Sequence, residues 1–583
     1  MGMGKHARSV QHVRPLPLRS TVRLRRPLDI WHKHAFSAVV ALAIPDLLLL
    51  ALGRLDLIMY TSAGGMCALY AHGLPYRARA RAVAWVVLGM VGGLAVALLA
   101  AAYVDSAAVL VLLASLVAAV HKMVCDATRI GPPANVVLTF IAASAFFVPQ
   151  RPGDIPLHVL LALGGGVLAW LVCMAPGLVR PQGPERIATA RALEAAAALL
   201  RAESPAGAAP GPARHGAAAA VNAAWHTLSQ VSARTPRRAA DLLRLESLLV
   251  RAESALAAPH GTTAGAAREA GRCAAWAREL RGGGPLPAVA LDADGAGELA
   301  GLAAERAVTG GEHGPYVPRR PAAGARGGVR GVLERLGPGS PLLPVGVRVA
   351  AGCALAGWAS MALGVGHPYW AVVTAASVFQ ANTTLTWQRA VQRTLGNLLG
   401  VLLFTLLLPV IQAGPLAMVL LVLLLQIGAE AFISRNYWLG SVCVTPMALL
   451  LSEFGGRTPA GQLVHDRWVD TVIGAVVGLL CCLAVTNRRA AHRIDRALDR
   501  VEEARAEVAA ALAPGAAYGG DEEGRIRDRL AVALVELREA ADVAAGEWWQ
   551  RELPEERLAR AEREGHIDLA RLVRRLTPPV PAA

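Results

Sequence analysis

Charge is scarce in this 583-residue chain. Only 17% of its residues are Asp, Glu, Lys or Arg, against 54% hydrophobic, and the mean hydropathy is +0.42. So apolar a chain argues against an ordinary soluble protein. Acidic residues are fewer than basic ones, 43 against 58, giving a formal net charge of +15. An arginine excess on an apolar chain fits a nucleic-acid binder or a membrane protein, and where the arginines fall decides between them. Lysine occurs only at Lys5, Lys33 and Lys122. With the abundance of Ala, Gly and Pro, this reads as the base composition of a GC-rich genome and carries no functional weight.

Catalytic motifs are missing too. No GxxxxGK[ST] loop occurs, which excludes ATP hydrolysis by that device. There is no HExxH, no GxSxG and no Cys/His constellation, so an enzyme reading has no motif beneath it and neither metal nor cofactor is expected. No CxxC spacing suggests a zinc site or a disulfide framework. Cys67, Cys173, Cys353, Cys443, Cys481 and Cys482 lie inside apolar runs, with Cys125 and Cys273 outside them, and all read as small buried side chains. Residues 1–34 carry Arg14, Arg19, Arg23, Arg25, Arg26 and Lys33 without a small-residue cleavage site at the expected distance. They read as a basic cytoplasmic flank, not a removable signal.

Long apolar runs are what the chain has. A helix needs about 20 mostly apolar residues to cross the hydrocarbon core. A first block, 35–180, offers six candidates at 35–53, 56–74, 83–103, 106–124, 134–150 and 156–179. A second, 342–488, offers six more at 345–364, 368–385, 394–412, 415–433, 437–453 and 468–486. The expected fold is an all-α polytopic membrane protein with two six-helix repeats and cytoplasmic helical regions.

Loop charge sets the expected orientation. Arg77, Arg79 and Arg81, Lys122 and Arg129, Arg389 and Arg393, Arg435, and Arg488, Arg489 and Arg493 all fall on one side. The opposite connections, near Asp56, Asp105, His367 and Gln412, hold almost no basic residue beyond Arg54, although two longer ones carry Arg151, Arg457 and Arg467. Both termini and the middle are therefore expected in the cytoplasm of a multi-pass cell-membrane protein, with no role for nucleic acid. Each block opens at a basic flank, has a basic loop after its second span and a basic residue before its fifth. An even number of spans per block makes this a parallel duplication. Gly89 and Gly93, Gly396 and Gly400, and Gly474 and Gly478 each sit one turn apart near a span's beginning, where missing side chains let helices pack closely. Glycine-rich interfaces also allow a homo-oligomer.

Residues 181–341 and 489–583 break the membrane pattern. In DLLRLESLLVRAESAL, leucines recur at three- and four-residue spacing, the mark of an amphipathic helix. The runs SPAGAAPGPA and GPYVPRRPAAGARGG read as linkers. A small cytoplasmic helical layer is expected beneath each block.

Ionisable groups within spans are costly, at about 2.5–3.5 kcal/mol for a charge at a helix centre, and so usually face protein or water. Asp46, following Pro45, is either a proton carrier or gate, or a cap for backbone groups that the proline frees. Glu430 is a second proton or gate candidate, with Arg435 as its expected ion-pair partner. Asp470 is expected to pair with Arg467, and His72 and His367 to sit at interfaces. The eighth span, HPYWAVVTAASVFQANTTLTWQR, has Tyr369 and Trp370 at one end. Thr374, Gln380, Asn382, Thr383 and Thr384 make its other half polar, above Arg389 and Arg393. These groups either present hydrogen bonds and positive charge to an anion, or tie helices together while the arginines anchor topology. The substrate-binding candidates are Arg389, Arg393, Asn382, Thr383, Gln380 and Thr374.

HPYWAVVTAASVFQ followed by TTLTWQRAVQRTLGNLLGVLL resembles the fusaric acid resistance protein-like (FUSC) family of membrane proteins. The recurring features are Tyr-Trp-Ala, a Thr-containing span, Arg-x-x-x-Arg and a Gly-rich helix. Val347-Arg348-Val349-Ala350 and DRWVDTVIGAVVG resemble that family's flanking spans. The likeness covers about 342–488 and weakens over 35–180, where Tyr-Trp-Ala is absent. It implies two six-helix units and a relationship to aromatic carboxylic acid exporters and, more distantly, plant malate channels. The expected function is efflux of small organic anions such as aromatic carboxylates across the lipid bilayer. The alternatives are a membrane scaffold for envelope biogenesis and a passive anion channel.

Overall fold

The computed structural model describes residues 21–24, 29–202, 211–231, 235–257, 263–287, 329–337, 340, 342–453, 460–484, 489–514, 520–546 and 554–575. Arg14, Arg19, Arg25, Arg26, Arg457 and Arg488, the run at 314–328 and most of that at 204–213 lie outside them. Among the described residues no strand occurs.

The first block comprises α1 (Trp31–Ala51), α2 (Ile58–Gly65, between 3-10 turns at Leu55–Leu57 and Met66–Leu69), α3 (Tyr76–Tyr103), α4 (Ala107–Thr128), α5 (Asn135–Ala145) and α6 (Ile155–Met174). Then come α7 (Gly183–Ala202), α8 (Gly211–Ser229), α9 (Pro236–Ala257), α10 (Thr263–Gly282) and the short α11 (Val329–Leu336). The second block comprises α12 (Leu343–Ala362), α13 (Tyr369–Val378), α14 (Thr383–Gln412), α15 (Pro415–Ile433), α16 (Tyr437–Glu453) and α17 (Ala460–Ala484). Helices α18 (Arg489–Ala511), α19 (Gly520–Ala545) and α20 (Glu555–Arg575) follow.

Each of the twelve apolar runs contains a helix, but among the described residues eight helices are long and apolar enough to cross a membrane. The exceptions are Leu55–Leu69, Asn135–Ala145, Tyr369–Val378 and Tyr437–Leu451, the second and fifth of each block. The Met66–Leu69 turn stops where Tyr70 becomes extended, and α13 stops where Phe379 does. Non-helical backbone at membrane depth is tolerated only inside protein, because lipid offers its polar groups no partner. Accordingly every residue of α13 is buried, and all of α2 except Met59. A second correction concerns α14, which starts at Thr383 and not near 394. Arg389 and Arg393 therefore lie within its second and third turns, not in a loop.

Helix pairings run in parallel through the blocks. In the first, α1 packs on α2 and α6, α2 on α6, α3 on α5 and α6, and α4 on α5. In the second, α12 packs on α13 and α17, α13 on α17, α14 on α16 and α17, and α15 on α16. The junction is reciprocal: α12 lies on α4, and α1 lies on α15. One continuous apolar core joins them. Large apolar side chains such as Phe36, Leu48, Trp85, Leu406 and Leu424 point outward, as a lipid-facing surface requires.

The remaining helices form two further cores. Leu193, Leu199, Leu248 and Leu249 centre α7–α10, and Val501, Leu530, Leu537 and Leu572 centre α18–α20. They are not separate layers. Helix α9 packs on α20 and α8 on α19, and Arg527 of α19 pairs with Glu253 of α9 at 3.6 Å. Asp29, just before α1, accepts from Arg191 of α7 and Arg281 of α10, each at 2.6 Å.

Candidate functional site

Arginine inside a membrane bundle must find partners, since leaving its charge exposed to lipid is costly. Three buried arginines, Arg348, Arg393 and Arg467, occupy the second block. They lie among a series of polar contacts spread along that block.

The row starts at the break between α13 and α14. Asn382 caps α14 by accepting the Leu385 N–H on Oδ1 at 2.8 Å, which satisfies one of the free amides of a helix start. The Arg348 guanidinium lies over the Phe379 ring at 5.6 Å and reaches Cys482 Sγ at 3.9 Å. Further along α14, Arg389 stacks on the Tyr437 ring at 3.8 Å, and Arg393 Nη1 donates to Tyr437 Oη at 2.8 Å. Two glycines bring α16 close enough for this. A Cβ on Gly396 would stand 2.5 Å from the Trp438 carbonyl oxygen, and one on Gly400 would stand 2.6 Å from Thr445 Cβ.

One turn beyond Arg393, Asn397 bridges three helices. Its Oδ1 accepts from Thr445 Oγ1 at 2.6 Å, and its Nδ2 donates to Thr471 Oγ1 at 2.8 Å. Thr471 donates in turn to the Arg467 carbonyl at 2.7 Å. The Arg467 side chain, 1% exposed, lies over Trp370 at 5.0 Å. At the far end Ser360 Oγ donates to Asp470 Oδ1 at 2.5 Å, and His367 Nδ1 lies 2.8 Å from Asp466 Oδ2. Arg393 Nε, Arg467 Nε and Nη1, Thr374 Oγ1 and Asp470 Oδ2 are buried without a hydrogen-bond partner.

The expected site residues separate into groups. Arg389 and Arg393 join the row. Thr374 is fully buried beside it, packed on Gly474, where a Cβ would lie 2.7 Å from Thr374 Cβ. Asn382, Thr383 and Gln380 gather at the break. Gln380 Nε2 donates to the Phe379 carbonyl at 3.0 Å, and Thr383 is buried. Asp46 stands apart in the first block, where it accepts from Ser62 Oγ at 3.4 Å; its other oxygen has no partner. Glu430 accepts from Gln426 at 3.4 Å and does not pair with Arg435. The expected Arg467–Asp470 pair does not form either: Asp470 Oδ1 takes Ser360, and its Oδ2 has no hydrogen-bond partner.

The glycines also divide. Gly93 faces the His121 ring, whereas Gly89 is exposed with open space around it and packs on nothing. Gly478 makes an ordinary contact with Ala375 at 3.4 Å.

Sequence reasoning missed Tyr437 and Asn397. A polar residue four positions after Arg393, set between Gly396 and Gly400 in an apolar run, was the available signal for Asn397. Three extramembrane contacts at this end were also not foreseen. Gln392 and Asn436 donate to the Thr21 carbonyl at 2.8 and 3.0 Å. Thr384 N donates to the Gly546 carbonyl at 2.9 Å.

Comparison with known proteins fits this geometry. The chain is 31% identical over 191 residues to the uncharacterized membrane protein YvaC of Bacillus subtilis, a stretch covering 32% of this chain and 29% of that protein. It is 27% identical over 207 residues to an uncharacterized protein, slr1298, of Synechocystis, covering 35% of this chain and 27% of that one. The chain thus spans less than a third of the length of either relative. No solved structure matches. The model of fusaric acid resistance protein-like proteins matches residues 354–481, a stretch holding Arg389, Arg393, Asn397, Tyr437, Arg467 and Asp470. The chain is a multi-pass membrane protein, and residues 354–481 in its second block are similar to fusaric acid resistance protein-like proteins.

Proposed function

We propose that the protein is a transporter that moves small organic anions, aromatic carboxylates among them, out of the cytoplasm through its second block. The carrying observation is the polar row from Arg389 and Arg393, through Asn397 and Thr471, to Arg467. Its positive groups outnumber its acids, and three of its arginines, Arg348, Arg393 and Arg467, keep free donors in a buried setting. Such a lining favours a negative solute and disfavours a cation.

In this reading the two blocks are parallel repeats inserted the same way round in the cell membrane, with both termini cytoplasmic. Support comes from the matching order of helix pairings, from short helices at the second and fifth places of each block, and from the arginine-poor opposite connections. Arg389 and Arg393 receive the anion at the cytoplasmic mouth. Asn382, Thr383, Gln380 and Thr374 offer it hydrogen bonds, and Asp46 and Glu430 act as proton or gate groups away from the route. Weak acids enter a cell neutral and ionise there. An inside-negative potential of 100 mV contributes about 2.3 kcal/mol per charge to expulsion, roughly a fifty-fold gradient.

The test is a deletion strain loaded with a panel of weak organic acids and complemented with wild type, Arg389→Gln or Arg393→Gln. Greater acid retention with either variant, at equal membrane abundance, supports the reading. Unchanged retention in well-inserted variants rejects a role for those arginines.

A further inference from the structure

We infer that residues 21–23 form a releasable strap that closes the cytoplasmic end of the second block by tying α14 to the start of α16 beside Arg389 and Arg393. The inference rests on the transport reading and adds how the proposed route is shut.

The strap is held by its main chain. Gln392 Nε2 donates to the Thr21 carbonyl at 2.8 Å, and Asn436 Nδ2 donates to the Thr21 and Arg23 carbonyls, each at 3.0 Å. Trp438 Nε1 donates to the Val22 carbonyl at 3.4 Å. Three successive carbonyls are thus gripped from α14 on one side and from the start of α16 on the other. Thr21 is 1% exposed, so the segment is seated between its holders.

The holders alternate with the residues that fix the arginines. Gln392 precedes Arg393 and stands three positions after Arg389, a spacing that shares a helix face. Asn436 and Trp438 flank Tyr437, whose ring carries Arg389 at 3.8 Å and whose hydroxyl accepts from Arg393 at 2.8 Å. The strap and the two arginines therefore occupy the same seam, where α14 packs on α16. While the strap is in place it links the two helices at the level where an anion would meet Arg389.

The fastening suits release. Its bonds join neutral groups, the weaker class, and water offers a departing carbonyl an equivalent partner. Val22 and Arg23 are exposed, so lifting the strap uncovers little of their side chains. Elements that move in function are drawn from such low-stability contacts. The chain also supplies a handle. Between the strap and α1, Asp29 pairs with Arg191 of α7 and Arg281 of α10, each at 2.6 Å. A displacement of those cytoplasmic helices is carried along the chain to the strap.

A merely structural tie predicts that weakening it only harms the protein, whereas a closure predicts that weakening it opens the mouth. Arg389→Cys supplies the reporter, because seven of the eight native cysteines are buried. The purified full-length protein in lipid nanodiscs is treated with a sulfonate-bearing methanethiosulfonate, and modification at position 389 is followed by mass spectrometry. Adding Asn436→Ala, or Gln392→Ala with Trp438→Phe, is expected to speed modification about tenfold or more as the closed fraction falls. With Arg389 intact, the same substitutions are expected to raise benzoate flux into vesicles at fixed voltage about threefold or more. Modification within about twofold of the Arg389→Cys parent in both strap variants overturns the closure. So does a measurable wild-type flux that neither folded strap variant exceeds. Faster modification with no benzoate flux in wild type or variants sinks the transport reading and leaves the strap standing as a cover. Benzoate flux by wild type with modification unchanged does the reverse.

Discussion

Thr384 at the start of α14 donates twice to the Gly546 carbonyl at the end of α19, from its backbone N–H at 2.9 Å and its hydroxyl at 2.7 Å. A helix in the membrane block is thereby held by a helix outside it, beside the α13–α14 break. Asn382 Nδ2 adds a 3.5 Å contact to the Asp542 carbonyl. Asp542 lies in the last turn of α19 and Gly546 just past it, where carbonyls have few partners within the helix.

Gly546 has no room for a side chain, since a Cβ there would collide with the Asn382 amide. Gly546→Ala is expected to push α19 off the break and to speed amide hydrogen exchange over residues 379–386 by about tenfold or more, as local opening becomes easier. Exchange mass spectrometry on the purified protein reads this. Unchanged protection over that stretch would mean that the contact contributes nothing to local order.

Glycines at the same spacing are expected to respond differently. Gly396→Ala places a methyl 2.5 Å from the Trp438 carbonyl oxygen, and α14 must part from α16. Overpacking of this kind costs about 1–3 kcal/mol. Gly89→Ala meets nothing within 4 Å and should stay within about 0.5 kcal/mol of wild type. Thermal unfolding of both variants in the same detergent checks the contrast.

Asp29 gives a pH dependence. Partial burial works against its charged form, but the Arg191 and Arg281 guanidiniums outweigh that and take its pKa down to about 2. A depressed carboxylate pKa adds stability that is present above the unfolded value, near 4, and is lost as pH falls toward 2. Asp29→Asn should therefore lower the unfolding temperature at pH 6, and the difference from wild type should shrink toward zero by about pH 2. A difference independent of pH would assign the effect to packing instead of charge.

Much of the architecture was legible because membrane insertion writes itself as long apolar runs. All twelve contain helices, and Arg389, Arg393 and Thr374 stand out as polar intrusions. Lengths were less readable. Nothing in VVTAASVFQANTT marks Val378 as the last helical residue: no Pro or Gly stands there, and α13 lies buried against α12, α5 and α17. Partnerships were least readable. Arg467 and Asp470 are one turn apart and of opposite charge, so local reasoning pairs them, yet Ser360 on α12 takes the carboxylate. Asn397 gains its meaning only when Thr445 and Thr471 arrive from α16 and α17. Asp46 kept its ambiguity in part: it accepts from Ser62 and caps no backbone group beside Pro45.

The central claim is a charge-selective route through the second block, and flux under imposed voltage tests it most directly. Purified protein reconstituted into vesicles with a potassium diffusion potential should pass radiolabelled benzoate toward the positive side, at a rate that rises with voltage and falls in the Arg393→Gln variant. Vesicles in which benzoate moves no faster than in protein-free controls, at any voltage or pH difference, would contradict the account.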